Sequence, residues 1–131
     1  IEPSMPPVKA EPGIVQEILT NLVTNAIDAM PQGGVLRLTA RYLPLLEKVR
    51  IDVADTGKGI PSDLLGQVFD PFFTTKPQGE GTGLGLFVSH EMTKRLGGIM
   101  KVISSEGTAP GRGETIFTVE LPVEIEGSVR G

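Results

Sequence analysis

The sequence predicts an α+β fold in which helices cover one face of a largely antiparallel sheet. Helical and strand-like hydrophobic patterns follow one another as helix, strand, strand, loop, helix, strand, strand. Glycines crowd into 57–59, 79–85 and 107–113, which predicts loops shaped by the backbone. We expect a two-layer sandwich of a mixed, largely antiparallel sheet and about three helices. This domain would occupy residues 13–122, between a proline-rich lead-in at 1–12 and a tail at 123–131.

The composition is that of a single globular domain and excludes several classes of function. The chain has 131 residues, of which 39% are hydrophobic and 21% are charged. The net charge of −4 argues against general nucleic-acid binding, which favours a basic surface. The absence of cysteine excludes disulfides and thiolate chemistry. No run of 18 apolar residues is present, so we expect no membrane span within these residues. The lack of cysteine fits a cytoplasmic domain without membrane contact of its own, whether or not the parent protein is anchored in a membrane.

Two amphipathic helices are predicted, over about 13–30 and 84–96. The first carries apolar side chains at helical spacing and is followed by breakers at Pro31 and Gly33. The second is followed by Gly97 and Gly98, which are typical of a helix end. A short third helix over 62–68, with Ser62 as its N-cap, would complete the helical layer.

Four strands are predicted, and the first two form a plausible hairpin. Apolar and polar residues alternate roughly over 35–42 and more cleanly over 49–54. The remaining strands are expected at 99–104 and 115–121, on either side of the glycine-rich turn at 107–113.

Asn21 and Asn25 are the first candidate site residues. They lie four positions apart, so both face the same side of the first helix. Asparagine is a mediocre helix former, and two of them within an apolar helix call for a reason. A carboxamide oxygen can bind Mg²⁺, which takes few protein ligands together with phosphate oxygens. The simpler alternative is that both side chains bond to neighbouring backbone.

Asp55, Gly57 and Gly59 directly follow a predicted strand. A carboxylate there can accept hydrogen bonds but cannot donate them, so it would select adenine, which has an exocyclic amine, over guanine. The glycines would let a flat base approach the backbone. An ordinary turn begun by an aspartate is the alternative.

The segment 81–85 (Gly-Thr-Gly-Leu-Gly) leads into the second helix. Free N–H groups at a helix N-terminus bind phosphate, and glycines allow a close approach. The segment has neither the P-loop spacing nor the Rossmann spacing of glycines. A flexible glycine hinge remains the alternative.

Residues 70–83 look like a long loop, and the segment 69–76 within it suits a lid that is anchored at one end by Phe69, Phe72 and Phe73 and mobile beyond them. Lys76 is the only Lys or Arg between 59 and 93, which makes it the natural phosphate partner in the lid. The alternatives are an Ω-loop with its own apolar cluster and a solvated lysine.

Together these segments resemble the histidine-kinase ATPase domains of the larger family that includes gyrase, the heat-shock chaperone and the mismatch-repair ATPases. Residues 21–26 resemble its N box, 55–59 its first glycine box, 69–73 its F box and 81–85 its second glycine box. Thr115 and Phe117, with Leu121-Pro122, resemble its closing strand. The similarity covers about residues 11–122 and implies a Bergerat-type ATP-binding fold.

The resemblance assigns roles to individual residues. Asn25 would bind Mg²⁺, Asn21 would help at the phosphates, and Asp55 would bind the adenine amine. Gly57 and Gly59 would let the base pack closely. The phosphates would be wrapped by Gly81, Gly83 and Gly85, with Thr82, Leu84 and Thr115 also at the nucleotide.

The resemblance also implies the reaction. ATP-hydrolysing relatives carry a glutamate base where this chain has Asn21, and asparagine cannot deprotonate water. Transfer of the γ-phosphoryl group is therefore favoured over hydrolysis. His90, the only histidine, lies within the second helix and is read as structural or exposed, so the acceptor histidine would belong to a separate dimerisation domain, with a response regulator downstream. A serine kinase of the same fold and a nucleotide-sensing interaction module remain alternatives.

Overall fold

The computed structural model describes residues 13–73, 84–105 and 113–123. Within them two α-helices and four strands follow the predicted order. They are α1 (Ile14–Asp28), β1 (Leu36–Leu43), β2 (Lys48–Asp55), α2 (Gly85–Arg95), β3 (Ile99–Ser105) and β4 (Glu114–Pro122). Two short 3₁₀ helices, Pro44–Leu46 and Leu65–Gln67, join neighbouring elements. Neither α-helix has the length and apolar character that crossing a bilayer requires.

The four strands form one sheet in the order β1-β2-β4-β3. Every pairing among the described strands is antiparallel, which confirms the expectation of a largely antiparallel sheet. The first two strands form the predicted hairpin, in which Leu36 pairs with Asp55 and Leu43 with Lys48. The register then carries across the sheet, because Asp55 pairs with Thr115 on β4.

The core lies between the sheet and α1. Ile18, Leu22 and Ala26 are each at most 2% exposed, and they recur at the spacing that puts them on one helix face. They pack against Val53 and Phe117, which face each other across β2 and β4. Burying this apolar stripe fixes α1, and therefore its asparagines, relative to the end of β2.

The predicted third helix over 62–68 was wrong. Residues 65–67 form only a 3₁₀ helix, and its N-terminal cap is Leu64 without a side-chain hydrogen bond, so Ser62 is not its N-cap. The backbone bonds from Leu64 to Pro61 and from Gln67 to Leu64 each span three residues. This is a chain of tight turns, which a segment as short as this adopts more readily than an α-helix because helix nucleation is costly.

The ends of both helices follow the predicted signals with small shifts. α1 ends at Asp28, whereas the sequence predicted an end at about residue 30. The prolines expected before this helix lie outside the described residues. After α2, the N–H of Gly98 donates to the oxygen of Thr93 at 2.9 Å and that of Gly97 to Lys94 at 3.0 Å. Gly97 has φ of +80°, as a Schellman-type helix end requires.

Candidate nucleotide-binding site

Asp55 is the last residue of β2 and is only 2% exposed. Its Oδ1 accepts a hydrogen bond from the N–H of Gly57 at 2.9 Å. Burial raises the pKa of the Asp55 carboxyl, and the hydrogen bond from Gly57 opposes that rise. A buried carboxylate that serves as a hydrogen-bond acceptor therefore lies at one end of the sheet.

Thr115 lies directly beside Asp55 on β4 and is 3% exposed. Its hydroxyl is 2.6 Å from the Oγ of Ser104 on β3. The same Ser104 oxygen accepts the N–H of Ile60 at 2.8 Å. Ser104 therefore ties the loop after β2 to both β3 and β4, and this fixes the floor of the site beside Asp55.

The loop at 57–59 is tightly packed on both sides. A Cβ placed on Gly57 would lie 2.8 Å from the carbonyl carbon of Ala29, just after α1. The N–H of Lys58 donates to the oxygen of Ala29 at 3.1 Å. On the other side, a Cβ on Gly113 would lie 2.7 Å from the carbonyl carbon of Lys58 and 2.8 Å from the nitrogen of Gly59.

These contacts and the backbone conformation explain why glycine is needed at positions 57 and 59, which the sequence alone did not show. The missing side chain of Gly57 admits the end of α1, whereas the sequence suggested room for a base. Gly59 has φ of +74°, which favours glycine. The roles of Gly57 and Gly59 at a bound base stay predictions.

The two asparagines of α1 have different surroundings. The Nδ2 of Asn21 donates to the Oγ of Ser89 at 2.8 Å and has a longer contact, 3.4 Å, with the oxygen of Gly85. Asn21 therefore links α1 to the first turns of α2. Asn25 is half-buried, and within the described residues its side chain makes no hydrogen bond.

Asn25 fits a role as a Mg²⁺ ligand because its carboxamide oxygen is a hard donor with no partner in the described part of the chain. The same part of the chain holds no group of three or more acidic, histidine or cysteine side chains that could bind a metal by itself. A cation here would depend on phosphate oxygens for most of its coordination.

Leu84 and Gly85 begin α2 without a side-chain cap. The N–H groups at the start of a helix that lacks such a cap are suited to an anion. Of the other residues predicted to hold the phosphates, Gly81, Thr82, Gly83 and Lys76 lie outside the described residues.

Phe69 anchors the segment between the 3₁₀ helix and residue 73. Its ring stacks on that of His90 on α2, with centroids 4.5 Å apart, and meets Phe117 edge-on at 6.1 Å. His90 is half-buried, so its ring forms part of this packing. Phe72 is 71% exposed and does not share in this anchor, contrary to the expectation for the aromatic cluster.

Three further residues shape the site and were not predicted: Ser89, Ser104 and Gly113. Ser89 is wholly buried on the α2 face toward α1, four positions after Gly85. The helical spacing of Gly85 and Ser89 is visible in the sequence, but their contact with Asn21 depends on how the helices cross. Gly113 is the last residue of the glycine-rich segment 107–113, and the sequence did not indicate which residues it would contact.

The family described as histidine kinase-, DNA gyrase B- and HSP90-like ATPase matches residues 10–125. The chain belongs to this ATPase family. Within the family, this domain is similar to the sensor histidine kinase ZraS of Escherichia coli (strain K12), with 44% identity over 122 residues. That match covers 93% of this chain and 24% of ZraS. Sensor kinase CckA of Brucella abortus (strain 2308) is 39% identical, covering 92% of this chain and 14% of CckA.

Solved structures support the same assignment of the ATPase domain. The catalytic domain of histidine kinase ThkA, in a nucleotide-free form, superposes with a TM-score of 0.71 at 35% identity, covering 88% of this chain and 70% of that chain. Full-length ShkA in complex with AMPPNP gives a TM-score of 0.75 at 31% identity, covering 95% of this chain and 24% of that chain. The chain is therefore a catalytic ATP-binding domain of the sensor histidine kinase type, and it spans less than a quarter of ZraS.

Proposed function

We propose that this domain binds ATP together with Mg²⁺ and transfers the γ-phosphoryl group to a histidine on a separate dimerisation domain of the same parent protein. The observation that carries the proposal is Asp55, a buried carboxylate at a strand end whose partner in the described residues is the N–H of Gly57. An ionised carboxylate accepts hydrogen bonds only, so it matches the exocyclic amine of adenine and rejects the carbonyl of guanine.

The phosphates would lie toward Asn25 and the start of α2. Asn25 offers a carboxamide oxygen, and the first turn of α2 offers N–H groups and the positive end of the helix dipole. Lys76 and residues 81–83 would complete the phosphate contacts. Bound Mg²⁺ would offset charge on the phosphate oxygens, while the chain supplies position and electrostatics, which account for most catalysis in phosphoryl transfer.

Transfer is favoured over hydrolysis because the helix has no base at the position of Asn21. A carboxamide cannot take a proton from water, and the Nδ2 of Asn21 is already committed to Ser89. The acceptor imidazole would therefore be activated from outside this domain. A response regulator would receive the phosphoryl group next, and the domain would work in the cytoplasm.

Calorimetric titration of ADP and GDP into the domain, with and without Mg²⁺, tests the proposal. Wild type is expected to bind ADP in the micromolar range and to discriminate against GDP. Asp55→Ala should lose about tenfold or more in affinity, because a hydrogen bond to a charged group contributes about 1.5–3 kcal/mol. Asp52→Ala is the matched control, because Asp52 lies on the same strand but bonds to Thr118 at 2.6 Å on the opposite face.

Failure of a folded wild-type domain to bind ADP would refute the proposal and favour an interaction module. If ADP binds, incubation with ATP and candidate acceptor domains decides the reaction. Acid-labile protein phosphate is expected for a histidine acceptor, whereas acid-stable phosphate would support a serine kinase of the same fold.

A further inference from the structure

Ser89 is a fully buried residue whose hydroxyl has no part in the proposed nucleotide contacts. It lies on α2 one turn after Gly85, and its Oγ accepts the Nδ2 of Asn21 at 2.8 Å. The nearest other partner of that nitrogen is the oxygen of Gly85, at the longer distance of 3.4 Å. Ser89 therefore makes the stronger of the two contacts that hold the Asn21 carboxamide in place.

A carboxamide presents an acceptor at one end and a donor at the other, and a half-turn about its last bond exchanges them. The Gly85 carbonyl can only accept a hydrogen bond, so it selects the nitrogen of Asn21 and turns the oxygen to the other side. The Ser89 hydroxyl accepts from the same nitrogen at the shorter distance and so holds the carboxamide in that orientation. Within the described residues, the carboxamide oxygen of Asn21 makes no hydrogen bond. It is free to face a cation or a cation-bound water, whereas an NH₂ group in its place would repel one.

We infer that Ser89 is a positioning residue that holds the Asn21 carboxamide in the orientation selected by the Gly85 carbonyl, with its oxygen toward the nucleotide, and so sets how strongly Mg²⁺ enhances nucleotide binding. The inference rests on the proposed function, because it assumes that the nucleotide phosphates lie beside Asn21 and Asn25. Ser89 acts through Asn21 and makes no contact with the nucleotide itself. Its effect should therefore appear in the metal-dependent part of the affinity alone.

The test compares the ADP dissociation constant in EDTA with that in Mg²⁺, the ratio being the metal enhancement. Ser89→Ala is expected to leave the EDTA value within about twofold and to lower the enhancement about three- to tenfold, the range that one neutral hydrogen bond represents. Thr93→Val is the matched control. Thr93 is also fully buried on α2, but its hydroxyl donates to the backbone oxygen of Ser89 at 2.8 Å.

If Ser89 were merely structural, both variants would be less stable, but each would keep the Mg²⁺ enhancement of wild type. That result would overturn the inference. A second arm uses Asn21→Asp, whose two carboxylate oxygens make the orientation irrelevant. In that background, adding Ser89→Ala should not change the enhancement. An equal loss in both backgrounds would show that Ser89 acts by another route and would also overturn the inference.

The side-chain amide of Asn21 gives a readout that needs no nucleotide. Its NH₂ protons in ¹⁵N spectra should exchange faster with water in Ser89→Ala and stay unchanged in Thr93→Val. Wild type that binds no ADP would refute both the proposed function and this inference. Wild type that binds ADP with Mg²⁺ enhancement, and a Ser89→Ala variant with the same enhancement, would refute only the role of Ser89.

Discussion

Asp55 and Thr115 are direct cross-strand partners at the end of β2 and β4, and both are almost completely buried. Thr115 directs its hydroxyl to Ser104, 2.6 Å away, and the partner of Asp55 is the N–H of Gly57. The Asp55 carboxylate is thus buried beside the Thr115 hydroxyl, which is hydrogen-bonded to Ser104. The fold bears the cost of a desolvated acid in order to keep an acceptor at this position.

Asp55→Asn should make the nucleotide-free domain more resistant to unfolding at neutral pH. Burial raises the pKa of Asp55 above its ordinary value of 3.8. The stability that this group contributes is therefore fully present below pH 3.8 and is lost as the pH rises through the raised pKa. Asparagine keeps the acceptor for Gly57 but does not ionise. Urea unfolding of both proteins from pH 3 to pH 7 should show the difference growing in favour of the variant.

The same variant should bind ADP at least about tenfold more weakly, because the charged acceptor is lost. Higher stability combined with lost binding would separate the function of Asp55 from any structural role. A variant less stable than wild type at pH 7 would contradict the prediction.

Gly113→Ala should destabilise the domain by about 1–3 kcal/mol, the usual cost of overpacking. The added methyl group would lie 2.7 Å from the carbonyl carbon of Lys58 and 2.8 Å from the nitrogen of Gly59, and backbone cannot rotate away as a side chain can. Because the displaced loop adjoins Asp55, ADP affinity should fall as well. Denaturant unfolding and calorimetry measure the two effects.

Gly66→Ala is the control, since a Cβ there meets nothing within 4 Å. It should change the free energy of unfolding by no more than about 1 kcal/mol, in the stabilising direction, by restricting the unfolded chain. Equal destabilisation by both substitutions would mean that the contact with the loop is unimportant.

Phe69→Ala should cost about 2–3 kcal/mol, below the range for a fully buried phenylalanine because Phe69 is only half-buried. The ring stacks on His90 and contacts Phe117, so its loss removes packing from both α2 and β4. The His90 ring protons should shift in ¹H spectra as the stacked ring disappears. Phe72→Ala, at a site 71% exposed, should change stability by less than about 0.5 kcal/mol.

Periodicity predicted the two helices and four strands because apolar residues at helical or strand spacing leave a repeating signal in the sequence. The failures occurred where that signal is short. Residues 62–68 contain one buried side chain, Val68, so no repeat could distinguish an α-helix from consecutive tight turns.

At the candidate site, residue chemistry predicted roles for Asp55 and Asn25, but contacts between distant segments could not be predicted. Asn21 and Ser89 are 68 positions apart, and their hydrogen bond depends on how α1 crosses α2. The role of Gly113 beside Gly59 arises in the same way. A single sequence gives each residue type and spacing, whereas these contacts follow from the packing of whole elements.

The antiparallel register places the hairpin tip at Pro44–Leu46 at one end of the sheet, where the N–H of Val123 also donates to the oxygen of Glu47. The pair of Asp55 and Thr115 lies at the other end. Leu45 at that tip is 99% exposed. The candidate nucleotide site and the exposed hairpin tip therefore lie at opposite ends of the sheet. Residues inserted at the hairpin tip, or a segment joined after β4, would lie at the end of the sheet opposite Asp55. Such additions would give the domain new contacts without disturbing the residues proposed to bind the nucleotide.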